Sequence, residues 1–534
     1  MTRTSMMLRH LRMAARLICV ALVAGGSCAC AAVPVVPELP PNETPGVPIP
    51  PGRIDAAVSQ IDGLAREIMR RTGIPGMSVA VVHEGRKVFA QGYGVRNIDM
   101  DGDVDADTVF QLASLSKSVG ATVVAHQVGK HSVRWNDPVV KYLPRFQLAD
   151  PWVSAHVTLA DLYSHRSGLP DHAGDDLEDL GYDRAQVLER LRYLPLHPFR
   201  STYEYTNFGV TAAAEAVARA AGTDWASLSE QALYKPLHMD RTSSRFADFE
   251  GTGNRAHGHI KSGGVYRPKY QREPDAQSPA GGVSSSANDM AKWLAMLIGN
   301  GDDAAGQPFI PADALLPAIT PQVISRPASS PSARADMYGY GFNLNVQPSG
   351  RTSISHSGAF ALGAGTAFAI LPSAGVGIVV LTNAAPVGAA EALIAEFMEL
   401  VQFGEIRRDW LAGYQALFKP YAEPVGTLVG RQPPSQPAPA REPGFYTGDY
   451  GNEYFGTARV VADTGGLTLV LGPRDMRFRL RHWDGDRFVI DMHGENYEEG
   501  SVSAVDFSGA GAHAMASMTV ELLDKNRLGT FRRD

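Results

Sequence analysis

The apolar positions Ile54, Val58, Ile61, Leu64 and Ile68 fall three or four residues apart, which predicts an amphipathic helix with one buried face. The period then changes. Met77–Val82 and Lys87–Gly92 are β-rich runs separated by Glu84-Gly85, the composition of a hairpin turn. A second pair of such runs, Gly365–Leu371 and Gly377–Thr382, lies far downstream and leads into an amphipathic helix over Ala389–Val401. Helical spacing dominates between the two pairs, as in Val119–Gln127 and Val210–Ala221. Strands at both ends of a block with a helical middle predict an α+β unit whose antiparallel sheet is closed by both ends of the block. The last part of the chain is different. Gly444–Tyr450, Thr457–Val461, Leu467–Leu471, Arg477–His482, Arg487–Met492 and Ser517–Leu522 are short runs separated by turns, the pattern of a small barrel or sandwich.

Two Pro-dense stretches punctuate the 534 residues. Residues 33–52 read as an extended tether rather than a packed element, and Arg431–Pro443 has the same character. The expected organisation is a targeting segment at 1–32, a linker at 33–52, the α+β block at 53–405, a helix and Pro-rich linker at 406–443, and the β domain at 444–534. With 44% hydrophobic and 20% charged residues, wholesale disorder is excluded. The 49 basic residues against 56 acidic ones give a net charge of −7, which argues against a nucleic-acid partner.

Arg3, Arg9, Arg12 and Arg16 precede the apolar run Leu17–Ala24, and Ala29-Cys30-Ala31 offers an A-x-A-like cleavage site, so the N-terminus reads as a secretory signal. Acylation of Cys28 or Cys30 into a lipid anchor is the rival reading. Cys19, Cys28 and Cys30 are the only cysteines. Cleavage near Ala31 or Ala32 therefore leaves an exported chain, periplasmic or secreted, without disulfides. No later run approaches the ~18 apolar residues of a membrane span, so no transmembrane helix is expected in the mature chain.

The candidate chemistry starts at Ser114-Leu-Ser-Lys117, which precedes a helical run. A Ser and a Lys three apart on a first helical turn share one face, and the serine nitrogen lies at the positive helix end. A lysine in a closed site can lose its proton near neutrality and take one from a neighbouring hydroxyl. Tyr205-Thr206-Asn207, at the start of another helical run, can add a phenol and a carboxamide to the same cleft. His356-Ser357-Gly358, at the entrance to the second strand pair, provides a small-residue edge along which a substrate backbone can pair.

In this order, S-x-x-K, Y-x-N and a K/H-x-G strand, the chain resembles the serine β-lactamase and penicillin-binding-protein superfamily, most of all its class C-related branch of D-alanyl-D-alanine carboxypeptidases, D-aminopeptidases and family VIII esterases. Leu162-Tyr-Ser-His165-Arg-Ser-Gly168-Leu-Pro170 and Gly281-Gly-Val-Ser-Ser285 leading into Asp289 fit the same branch, over roughly residues 53–405. Gly444-Phe-Tyr-Thr-Gly-Asp-Tyr450 and Tyr454-Phe-Gly-Thr457 resemble the lipocalin-like β domain attached to some members. The resemblance implies an α+β, β-lactamase/transpeptidase-like domain, an antiparallel sheet flanked by helices with a helical subdomain, followed by a small all-β barrel-like domain. It implies Ser114 as acylated nucleophile, Lys117 as its proton acceptor and Tyr205 as the acid or base serving the leaving group. Asn207 would contact the substrate amide, with His356, Ser357, Gly358 and Ala359 along the substrate strand. The backbone N–H groups of Ser114 and Ala359 would form the oxyanion hole.

One departure alters the expected substrate. Many β-lactamases and carboxypeptidases have Lys where this chain has His356, and a histidine is mostly neutral at pH 7. Esters or short peptide amides are expected in place of carboxylate-anchored substrates, with weak β-lactam hydrolysis at best. The expected activity is that of an exported serine hydrolase acting through an acyl-enzyme, without metal or cofactor, on a small molecule or short peptide. A slowly acylating receptor for peptidoglycan fragments is the alternative, and a third reading makes the β domain a ligand-binding or oligomerising module, or a roof that restricts the cleft to small or terminal substrates.

Three further features carry no site. Asp99–Asp107 resembles a calcium loop, but Val104 and Phe110 stand where Gly and Glu would be needed, so it reads as a solvated acidic turn. His257-Gly-His259 lacks a third ligand nearby and reads as part of a hairpin. His165 reads as a structural histidine below the site.

Overall fold

The computed structural model describes residues 39–511 and 513–534. The targeting segment, the three cysteines and the start of the Pro-rich linker lie outside the described residues. Residues up to Thr44 form a unit of their own, whose described part is a turn with the Thr44 hydroxyl on the Leu39 and Pro40 carbonyls. Pro45–Asp534 forms the second unit. No helix among the described residues is long and apolar enough to cross a membrane.

The second unit begins with two helices, α1 (Arg53–Val58) and α2 (Ile61–Thr72), not the single helix that the spacing predicts. The chain breaks at Ser59-Gln60, yet Ile54, Ile61 and Ile68 stay buried on one side. A hairpin of β1 (Gly76–His83) and β2 (Arg86–Gly94) follows, then the two-residue strand β3 (Phe110–Gln111) and α3 (Leu115–Gly129). The helical middle includes α4 (Asp175–Asp179) and α5 (Asn207–Ala220) and ends with β4 (Ser284–Ser285) and α6 (Ala287–Ile298). Next come β5 (Val323–Arg326), β6 (Asp336–Tyr338), β7 (Asn343–Val346), β8 (Thr352–Phe360), β9 (Ala364–Leu371) and β10 (Val376–Thr382), then α7 (Ala389–Phe403) and α8 (Trp410–Phe418).

The main sheet has eight strands in the order β2-β1-β10-β9-β8-β7-β6-β5, and β1 pairs antiparallel with β10, so both ends of the block close it. Alternation along the strands divides two cores, because successive side chains leave a strand on opposite faces. Ala80, Val82, Phe368, Val379 and Leu381 join the core holding α3, α5 and α6, whereas Val79, Val81, Ala367, Ile378 and Val380 face α1, α2 and α7. β1 and β10 are apolar on both faces because both faces are covered.

From Pro45 on, the linker is docked rather than free. The Gly46 N–H donates to the Ser349 carbonyl at 2.8 Å, Arg351 donates to the Val47 carbonyl at 2.7 Å, and Ile49 joins the second core. An extended Pro-rich chain makes no internal hydrogen bonds, so its carbonyls are open to such docking. The paired histidines also differ from expectation. The hairpin is Ile260–Ser262 with Val265–Arg267. His259 precedes it, buried, holding the Asn383 carbonyl at 3.0 Å and the Ile98 N–H at 3.2 Å.

The C-terminal strands are β11 (Gly448–Gly451), β12 (Ala458–Asp463), β13 (Gly466–Leu471), β14 (Met476–Arg479), β15 (Arg481–Asp484), β16 (Arg487–Met492), β17 (Ser501–Ala510), β18 (Met515–Val520) and β19 (Thr530–Arg533). They form a nearly closed antiparallel barrel in the order β14-β13-β12-β11-β19-β18-β17-β16-β15. The predicted run at 477–482 is two strands broken at Leu480, and β17 and β19 are additional to the predicted runs.

Trp293 ties this framework to the candidate nucleophile helix. It is fully buried, packs edge-on to Phe368 of β9 and donates from its indole N–H to Thr122 of α3 at 3.1 Å. Trp293→Ala is expected to cost about 3–5 kcal/mol of stability, read as a lowered urea midpoint. A midpoint equal to the parent's would show that this packing does not support the fold.

Candidate active site

Ser114 sits where a short strand turns into a helix. β3 pairs with β4, the Leu112 N–H donates to the Val283 carbonyl at 2.8 Å, and Ala113 then turns the chain with φ of 47°. That left-handed conformation costs a residue with a side chain about 1 kcal/mol. It stops the strand and puts Ser114 at the N-terminal boundary of α3. β8 passes close by. A Cβ on Gly358 would lie 2.4 Å from the Leu112 carbonyl oxygen and 3.0 Å from the Ser114 nitrogen, so only glycine permits the approach.

Lys117, one turn further, has no exposed surface. Its amine meets three acceptors: Ser114 Oγ at 3.1 Å, Asn207 Oδ1 at 2.6 Å and the Ala280 carbonyl at 3.0 Å. Burial pushes its pKa down to about 7, with the charge of Asp175 acting the other way. Asn207 Oδ1 and the Ala280 carbonyl can only accept. The neutral amine must therefore direct both of its N–H groups at them, and its lone pair is left facing the Ser114 hydroxyl.

Tyr205 completes the cluster. Its ring centroid is 4.5 Å from the Lys117 amine, and its phenol faces Ser114. Burial raises its pKa well above the ordinary value, so it stays a neutral phenol at any working pH. His165 fixes it from below. The buried imidazole accepts from the Thr206 N–H through Nδ1 at 3.1 Å, with its ring centroid 4.6 Å from that of Tyr205.

Asn207 has both amide atoms engaged inside the protein. Its nitrogen donates to Asp175 Oδ2 at 2.8 Å, and the same oxygen faces His172 Nδ1 at 2.7 Å. Nothing in the sequence singles out Asp175 within the acidic run Asp175-Asp-Leu-Glu-Asp179; only the fold turns its carboxylate, and that of Glu178 toward Arg272, inward.

The four residues expected along the substrate strand divide by face. His356 lies on the Ser114 face and is nearly buried, with Nδ1 2.6 Å from the Ser357 carbonyl and Nε2 2.9 Å from the Tyr338 hydroxyl. The carbonyl can only accept, so Nδ1 carries the proton and Nε2 accepts from the tyrosine. Burial drives the His356 pKa down to about 3, so the ring is neutral. Gly358 shares this face. Ser357 and Ala359 alternate to the opposite face, toward α7. β7 pairs with β8 only as far as Ser355↔Asn343, so among the described residues the β8 edge from His356 to Phe360 has no strand partner on that side.

The barrel reaches the rim of this edge. Glu495, in the loop after β16, accepts from the Ala361 N–H at 2.8 Å and the Leu362 N–H at 3.3 Å. Arg272 lies 3.9 Å from Glu495 and pairs with Glu178 of α4 at 2.6 Å. The same loop grips α4 again: Asn496 donates to the Asp175 carbonyl at 3.2 Å and to Asp179 at 2.9 Å, and the Tyr497 hydroxyl donates to Asp176 at 2.7 Å. Among the described residues, no group of three or more His, Cys, Asp or Glu is placed to hold a metal ion.

A hydroxyl, a buried amine of lowered basicity and a neutral phenol thus meet at one point beside an open strand edge, an arrangement suited to acyl transfer. The beta-lactamase family model matches residues 61–402. The chain belongs to that family. It is a serine hydrolase of the β-lactamase and penicillin-binding-protein superfamily, and its barrel matches a domain of unknown function, DUF3471, over residues 432–527. Unguisins hydrolase ungD' of Aspergillus campestris is 28% identical over 407 residues, covering 72% of this chain and 74% of that protein. Unguisins hydrolase ungD of Aspergillus violaceofuscus is 27% identical over 429 residues, covering 74% and 75%. The same fold occurs in the octameric penicillin-binding protein homologue from Pyrococcus abyssi, with a TM-score of 0.57 and 17% identity over 87% of this chain and 98% of that one.

Asp175→Asn is expected to move the pH at which Ser114 becomes reactive to a fluorophosphonate probe to lower values, because the Asp175 charge is what raises the Lys117 pKa. The maximum labelling rate should also fall as Asn207 loses a charged acceptor. A labelling profile unchanged in both position and height would show that Asp175 does not act on the amine.

Proposed function

We propose that this hydrolase cleaves small esters or short peptide amides, including D-amino-acid peptides, through an acyl-enzyme on Ser114. The observation that carries the reading is the Lys117 amine, fully buried and 3.1 Å from Ser114 Oγ with its other two partners restricted to accepting. In the first half-reaction the Lys117 lone pair takes the Ser114 proton as Oγ attacks the carbonyl carbon. The oxyanion is stabilised by the Ser114 and Ala359 N–H groups, each such donor being worth about 3 kcal/mol of barrier. The Tyr205 phenol gives its proton to the leaving oxygen or nitrogen and is restored from Lys117. Water then attacks the acyl ester by the reverse proton path, releasing the acid and regenerating the serine.

Short substrates are favoured because the free β8 edge ends at Phe360, where Glu495 already occupies the next two N–H groups. Carboxylate-anchored β-lactams are disfavoured because His356 is neutral and both its ring nitrogens are occupied. Two relatives are named hydrolases of unguisins, and a solved structure of similar fold, SurE, holds D-Leu, which motivates a D-aminoacyl arm in the assay. The reading includes export from the cytoplasm, on the strength of the arginine-led apolar N-terminus alone.

The test is a turnover screen of nitrophenyl esters, D-aminoacyl amides and nitrocefin. Multiple turnover is expected on at least one of the first two, with little on nitrocefin. Ser114→Ala should abolish it, and Tyr205→Phe should lower kcat by about 10²-fold or more. A burst without turnover would favour a slowly acylating receptor, and full activity in Ser114→Ala would remove the proposed nucleophile.

A further inference from the structure

The face of β8 turned away from Ser114 borders a second cavity, of about 230 Å³, closed by α7 and α8. Its walls include Ile394, Met398, Trp410 and Tyr414, with Ser357 on the strand side and Glu391 from the first turn of α7. The size is below the ~300 Å³ at which drug-sized ligands begin to fit, so an occupant would be small.

One charged group of this mixed polar and apolar lining lacks a partner of the kind it needs. Burial pushes the Glu391 carboxyl up to about 7, only its own backbone N–H and the Ser357 hydroxyl oppose this, and no cation among the described residues neutralises it. Glu399, the other glutamate of the lining, differs: it accepts from the Arg407 N–H at 2.8 Å and has the Arg407 and Arg408 guanidinium groups within 3.6 Å. A partly enclosed carboxylate without a counter-ion carries a desolvation cost that a cationic ligand would remove.

We infer that this cavity is a binding site for a small amphipathic amine. The ammonium pairs with Glu391, and the apolar stem lies against Ile394 and Met398. Ser114, Lys117 and Tyr205 do not line this cavity, although His356 borders it, and the site stands whether or not Ser114 is the nucleophile.

The test is calorimetric titration of the full chain above neutral pH with 6-amino-1-hexanol, compared with 1,6-hexanediol, which lacks the amine. Saturable binding of the amino alcohol is expected, with the diol at least tenfold weaker. Binding should also fall at least tenfold in Glu391→Gln, which keeps the shape of the side chain, and in Ala395→Phe, which fills the cavity but leaves the carboxylate. No saturable binding to the parent, equal binding of the diol, or undiminished binding to either variant overturns the assignment.

Discussion

Everything at the front of this molecule depends on one amine held without water. A lysine side chain enclosed in protein is expensive while charged, and that expense brings its proton affinity down to where neutral solution can remove the proton. The enclosing groups also determine direction. Because Asn207 and the Ala280 carbonyl absorb the two remaining N–H groups, the freed electron pair has one place to point. The rest of the site can be understood as support for that enclosure: α3 presents the amine, α5 brings Asn207, and the segment before β4 brings Ala280.

The support extends to the second domain. Asp175 steadies Asn207 from one side of α4, while Asp176 and Asp179 on the same short helix are held by the barrel loop carrying Asn496 and Tyr497. A five-residue helix has little stability of its own. Its position is therefore set by partners on two sides, Asn207 in the site and the Asn496-Tyr497 loop of the barrel. Glu495 of the same loop caps the end of the β8 edge, so a single loop both steadies the amine's neighbour and limits the strand available to a substrate.

Much of this was legible from residue order, for reasons specific to each element. The hairpins flanking the block and the helices after Ser114 and Tyr205 follow from periodicity, which survives because each has a dry side. β17 and β19 were not legible, since the apolar alternation of Val502, Ala504, Val505 and Phe507 changes face at Ala504-Val505 in the first and the second, Thr-Phe-Arg-Arg, has a single apolar residue. Their formation depends on the ladders on either side. The convergence of Ser114, Lys117, Tyr205 and Asn207 could be anticipated because the family order is carried by the residues themselves. Asp175 and Tyr338 could not, because nothing local separates an inward acid from a solvated one, or a tyrosine that holds His356 from any other. Nor could the turning of Ser357 away from Ser114, which depends on the register of β8 against β9.

The most direct measurement is the titration of Lys117 itself, followed by NMR in protein with carbon-13-labelled lysine and assigned by the signal lost in Lys117→Ala. The structure predicts a midpoint about 7, far below the ordinary 10.5. A Lys117 signal that titrates near the ordinary lysine value would contradict the account, because an amine still protonated throughout the neutral range could not relieve Ser114 of its proton.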